Sequence, residues 1–201
     1  MIINKEQIAS HNQNNFDNHD QSFDFLANQL SKKGYDVEHI LKKISDFQVA
    51  IPSWALGAGG TRFGRFSYHG EPGTLEQKIE DVGMIHALTQ SAGAISLHIP
   101  WDVPEDAEKV KKLAGVLDLK FDAMNSNTFQ DQPEQEHSYK FGSLCSTDEN
   151  ARQQAIQHNI DVIRLGEKLG SKSLTVWLAD GSSFPGQNNF QTVLKNTQDS
   201  L

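Results

Sequence analysis

The feature that most constrains this chain is the alternation of two periodicities. Four short apolar runs read as strands: FQVAIPSWALGAGG from Phe47, AISLHIPW from Ala94, DLKFDAMNSNTF from Asp118 and SKSLTVWLAD from Ser171. Between them, apolar residues recur every three or four positions. Leu75, Ile79, Val82 and Leu88 follow a Thr74–Gln77 capping box and are closed by Gly93. Val110, Leu113, Val116 and Leu117 predict a helix over 104–117, with Pro104 in its first turn. A second capping box, Ser146 to Glu149, opens a helix that carries Ile156, Ile160, Ile163 and Leu169 inward and ends at Gly170. Another helix begins near Phe190 and runs to Leu201.

Strands separated by helices of this length imply βαβ units and a parallel sheet, because a parallel return requires a crossover. An open doubly wound sheet and part of a (β/α)₈ barrel both satisfy that pattern. The first strand-to-helix loop, LGAGGTRFG over 56–64, is rich in glycine but misses the G-x-G-x-x-G register of a dinucleotide site. A complete barrel takes about 250 residues, and this chain has 201. The expected fold is therefore α/β, a partial (β/α)₈ barrel of about four βα units preceded by short N-terminal helices. Phe23, Leu26 and Leu30, stopped by Gly34, and Val37, Ile40, Leu41 and Ile44 mark two such helices. Residues 1–20 are expected to form a flexible or short helical arm, and 21–201 the N-terminal half of the barrel domain.

Charge and cysteine content narrow the function classes. With 18 Lys and Arg against 26 Asp and Glu, the formal charge of -8 argues against a nucleic-acid partner. The single cysteine, Cys145, permits no intrachain disulfide and reads as a small buried residue. The first twenty residues lack an apolar core and no later stretch is long enough to span a bilayer, so no membrane association and a cytoplasmic location are expected.

In parallel α/β folds the chemistry sits at the C-terminal ends of the strands. Trp54 ends the first strand and His98 and Trp101 the second. Asn125, Asn127 and Phe129 follow the third, and Trp177 and Asp180 the fourth. All three tryptophans thus fall on one rim. Each alone reads as a packing residue; together with a histidine they suit a sugar, which needs flat apolar walls with a few directional hydrogen-bond partners between them. His98 could assist ring opening or hold a hydroxyl. A metal cage is missing: Asp102 is better placed to cap the helix ahead of Pro104, Asp122 lies inside the third strand, and only Asp180 remains. No nucleophilic triad, zinc spacing or P-loop occurs. The long loop over 130–146 is expected to be functional.

The segments PSWALGAGGTRFGRF, SLHIPWD, FDAMNSNTF, HSYKFGSL and LTVWLADGSSFPGQNNF closely resemble the broad-specificity bacterial L-rhamnose isomerases of the xylose-isomerase-like barrel superfamily, over residues 47–190. The resemblance implies an aldose–ketose isomerase, with L-rhamnose to L-rhamnulose as the leading pair and two divalent metals, usually Mn²⁺. It implies His98 as the catalytic residue of this segment and Trp54, Trp101, Phe129 and Trp177 as substrate walls. Phe63 matches an aromatic that reaches a neighbouring subunit's site, and a homotetramer is implied for the full-length protein. The family's metal ligands lie on the fifth to eighth strands, so none is expected here and the 201-residue chain alone is expected to be inactive. A non-catalytic fragment that binds sugar weakly, or another enzyme of the superfamily such as an epimerase, stays open as the alternative.

Overall fold

Parallel pairing is what the alternation produces. The structure is a computed structural model that describes residues 4–57, 69–184 and 186–201. β1 (Ala50–Pro52) pairs in parallel with β2 (Ala94–Ser96), and β2 with β4 (Lys120–Phe121). β3 (His98–Ile99) pairs with β5 (Met124–Thr128), and β5 with β6 (Leu174–Leu178). The two ladders are continuous, because only Leu97 separates β2 from β3 and the Asn125 amide donates to the Leu97 carbonyl at 2.8 Å. The four runs read from the sequence thus lie side by side in chain order, each reached through a helix.

The helices differ from expectation mainly at their ends. The N-terminal segment is one helix of 28 residues, α1 (Lys5–Lys32), which passes through position 20 and buries Ile8, followed by α2 (Val37–Ser45). Its start is fixed by a capping box in which Asn4 and Gln7 bond each other's backbone amides. α3 (Leu75–Thr89) is capped by Thr74 as expected, while the Gln77 side chain accepts from the Gly73 amide at 2.7 Å. α3 ends at Gln90 in the left-handed region, before Gly93. α4 (Ala107–Val116) is capped by Asp106, so neither Pro104 nor Asp102 starts it. α5 (Glu149–Leu169) is capped by Asp148, two residues after Ser146, and ends at Gly170 with φ +87°. Its buried face carries Ala151, Ala155, Val162, Gly166 and Leu169, leaving Ile163 exposed. Small residues win the inward positions because they let α5 approach β5: a Cβ on Gly166 would meet the Met124 side chain at 2.9 Å. α6 (Phe190–Ser200) completes the chain.

The core lies between the strands and α3, α4 and α5. Ile79, Val82, Ile95, Leu97, Val110 and Met124 are its most buried large members. Each contributes about 1.5–3 kcal/mol by leaving water.

A buried ionic group ties this core to the strand ends. Asp102 is 2% exposed and sits in the turn after β3. One carboxylate oxygen accepts from Lys78 Nζ of α3 at 2.7 Å, and the other accepts from the His98 amide at 2.8 Å and from the Ser53 hydroxyl. Asp102 thus joins the ends of β1 and β3 to α3, in place of the helix cap read from the sequence. On α5, burial holds the His158 pKa below the ordinary 6.5.

Two outcomes follow from these buried groups. Lys78→Met leaves the Asp102 carboxylate without its counter-charge and should lower unfolding free energy by about 3–5 kcal/mol. Lys78→Met combined with Asp102→Asn should recover more than half of that loss, as read from urea denaturation. For His158, the folded pKa is depressed, so the unfolded chain binds the extra proton as pH falls. Its contribution is complete above pH 6.5 and lost below it. His158→Gln should therefore flatten the decline in urea midpoint on acidification, and an unchanged pH profile would refute that assignment.

Candidate functional site

Five of the six residues singled out from the sequence can be placed, and they converge. Trp54 lies in a single 3-10 turn, Ser53–Ala55, that follows β1. His98 opens β3, Trp101 lies in the turn beyond it, Phe129 follows β5 directly and Trp177 is the fourth residue of β6. The imidazole of His98 is the centre. Its centroid is 4.6 Å from the Trp101 ring, 5.1 Å from Trp54, 6.1 Å from Phe129 and 6.4 Å from Trp177. Phe129 and Trp177 face each other at 6.2 Å. Phe63, the sixth residue, lies outside the described residues.

The centre of the cluster is buried and its outer wall meets solvent. His98 is 7% exposed, Trp54, Trp101 and Phe129 are half-buried, and Trp177 keeps 40% of its surface. Such an enclosure offers aromatic faces to C–H groups and one polar ring for a hydroxyl or a ring oxygen.

The third strand braces the cage. Asn125 and Asn127 do not follow that strand; they lie within β5, all of whose residues, MNSNT, are buried. Neighbours supply partners for Asn125, Thr128 and the Asn127 amide nitrogen, whereas Ser126 Oγ and Asn127 Oδ1 are buried without a hydrogen bond. Asn125 Oδ1 accepts from the Trp177 indole N–H at 3.0 Å, its Nδ2 donates to the Leu97 carbonyl at 3.1 Å, and the Thr128 hydroxyl donates to the Trp177 carbonyl at 2.8 Å. Asn125 thereby sets the plane of one wall, while Ser53, Lys78 and Asp102 set the two strand ends that carry Trp54 and His98. Sequence reasoning missed Lys78 and Ser53 altogether. The available signal was the run NSNT, too polar for a buried strand unless it has partners, and an aspartate four residues after the histidine.

The described carboxylates do not fit a divalent-metal cage. Asp102 is taken up by Lys78, Ser53 and the His98 amide, and Asp180 accepts from the Ser182 amide at 2.9 Å. Among the described residues no three His, Cys, Asp or Glu side chains converge as a metal site would require. Cys145 is buried, its thiol donates toward the Ala179 carbonyl at 3.3 Å, and burial pushes its pKa up, so it stays a protonated packing group. No described helix is long and apolar enough to cross a membrane.

No protein-family model matches the chain. Over 201 residues it is 45% identical to a probable sugar isomerase of Rhizobium meliloti (strain 1021), covering 47% of that protein. Over 200 residues it is 45% identical to a probable sugar isomerase of Mesorhizobium japonicum, covering 46% of that one. The chain spans about half the length of the curated relatives it matches, and along its own full length it is similar to proteins named as sugar isomerases.

Proposed function

We propose that this chain is the substrate-walled part of an aldose–ketose isomerase built on a (β/α)₈ barrel, with L-rhamnose and L-rhamnulose as the leading pair. The observation that carries this reading is the aromatic enclosure of His98 by Trp54, Trp101, Phe129 and Trp177 at the strand ends. The names of the two relatives support it.

A pyranose ring laid against Trp101 and Trp54 places its C–H face on the indoles and its oxygens toward His98. The imidazole can give a proton to the ring oxygen and take one from the anomeric hydroxyl, which opens the ring. Asp102 keeps the backbone of His98 in place, and Asn125 keeps the Trp177 wall in plane. The two divalent ions expected for the whole enzyme do not fit the described donors. This reading therefore assigns sugar binding and ring opening to these residues, and leaves hydrogen transfer between C1 and C2 to ligands beyond this chain. Cytoplasmic location, a homotetramer and the shielding of a neighbouring site by Phe63 belong to the same proposal.

Two measurements test it. L-rhamnose should quench tryptophan emission of the purified chain, and Trp101→Ala should weaken its affinity about 5- to 10-fold, in keeping with aromatic contacts worth about 0.5–1.5 kcal/mol. The chain should also accelerate exchange between the two anomers of L-rhamnose, followed by magnetisation-exchange NMR. His98→Asn should lose at least about 10-fold of that acceleration; an unchanged exchange rate would sink the role of His98. In the same samples no ketose should form, and calorimetry should show no micromolar Mn²⁺ site; either signal would overturn the assignment of hydrogen transfer to residues beyond this chain.

A further inference from the structure

Phe129, one wall of the cage, also borders a larger space. A cleft of about 620 Å³ lies between the loop after β5 and the loop after β6, with Phe129 forming part of both its wall and the wall of the cage. Leu178, the residue after Trp177, lines it too. Its volume falls in the range of small-molecule sites.

The cleft is built and not merely left over. Asp131 organises one side by accepting from the Ser138 hydroxyl at 2.6 Å, the Tyr139 amide at 2.6 Å and the Gln135 side chain at 3.2 Å. On the other side Gly181, at φ +70°, presses against the backbone of Phe141 and Gly142 so closely that a Cβ would lie 2.2 Å from the Phe141 carbonyl carbon. Only glycine allows that approach. The Ser143 hydroxyl accepts from the Ala179 amide at 3.0 Å and fixes the same junction.

Its lining selects a chemistry. Gln130, Ser182 and Ser183 present amide and hydroxyl groups to it, and the aromatic rings of Phe141 and Phe184, 64% and 62% exposed, lie on the segments that frame it. Of the charged groups lining it, Asp131 and Asp180 are acidic and Lys140 is basic. An anion would meet two carboxylates against one ammonium, and that ammonium already lies 5.4 Å from the Phe141 ring. A neutral, hydroxyl-bearing group meets no such opposition.

We propose that this cleft is a second subsite, which receives the distal end of an open-chain sugar whose reducing end is held at His98, and that it accepts neutral extensions at C6 while rejecting phosphorylated ones. The inference rests on the sugar-binding reading of the cage. A six-carbon chain laid out from His98 runs toward Phe129, whose ring centre is 6.1 Å away, and whatever follows the sixth carbon enters the cleft.

Three reducing sugars with the same first five carbons separate the possibilities: D-glucose, isomaltose and glucose 6-phosphate, titrated into the 201-residue chain with tryptophan emission as the readout. Isomaltose should bind about 5-fold or more tighter than glucose, and glucose 6-phosphate at least 10-fold weaker. Ser183→Phe, at an exposed position where it narrows the cleft, should bring isomaltose down to the affinity of glucose or below, and Gln130→Ala should weaken isomaltose in the same direction. Thermal melts of both variants confirm folding. Isomaltose weaker than or equal to glucose, or glucose 6-phosphate binding best, overturns the subsite and leaves the cage reading intact. Failure of all three sugars and of L-rhamnose to bind overturns the sugar-binding reading itself, and the subsite with it.

Discussion

The carboxylate of Asp102 accepts from three different parts of the chain at once: the turn that carries Trp54, the strand that carries His98 and the helix that packs beneath both. Removed from water, such a group persists only because Lys78 and two further donors replace its hydration. An isosteric apolar residue would serve packing as well or better, so stability alone does not account for an ion pair here. What it supplies is position. The Trp54 turn and the His98 strand belong to different βα units, 44 residues apart, and the β1–β2 ladder that registers them stops at Pro52 and Ser96, short of both. A single acceptor shared between Ser53 and the His98 amide extends that registration to the rim.

The same logic runs through β5. A buried strand that reads MNSNT would cost several unsatisfied polar groups in an apolar sheet. Here the cost is offset in part: Ser126 Oγ and Asn127 Oδ1 stay unpaired, but the bonds of Asn125 and Thr128 go to Trp177 and Leu97, where they orient the cage. The walls of the candidate site are therefore apolar while their supports are polar and buried. That division suits carbohydrate recognition, since ring faces need only shape and hydrophobic contact, whereas the angle between faces must be held rigidly against the weak forces of a bound sugar.

Much of this was legible beforehand. Apolar runs set off by glycine and proline located all four strands, and the placement of Trp54, His98, Trp101, Phe129 and Trp177 at strand ends anticipated their convergence, because parallel strands point all their C-terminal ends one way. Helix ends were read less well. Thr74 was recognised, but Asp106 and Asp148 outcompeted Pro104 and Ser146, since an aspartate in extended backbone takes the cap wherever the chain turns. The inward face of α5 was assigned to Ile156, Ile160, Ile163 and Leu169; Leu169 is buried there and Ile156 and Ile160 are half-buried, but Ile163 is exposed and close contact with β5 gives the deepest positions largely to alanine and glycine. Asp102 was misread for a deeper reason: its partners are 49 and 24 residues away, and no local pattern records a tertiary ion pair. Lys78, inside an amphipathic helix, looks like any solvated lysine until its carboxylate is known.

The contact of Gly181 with Phe141 has a mechanical consequence. Two loops that leave different strands touch there backbone to backbone, with no side chain between them to act as a cushion. Such a junction transmits displacement without slack, so the loop after β5 cannot swing outward while the loop after β6 stays still. Any opening of the rim on this side involves both loops together, as one flap hinged at the ends of neighbouring strands, and the paired hydrogen bonds between Ser143 and Ala179 are what hold the two loops to each other in such a motion.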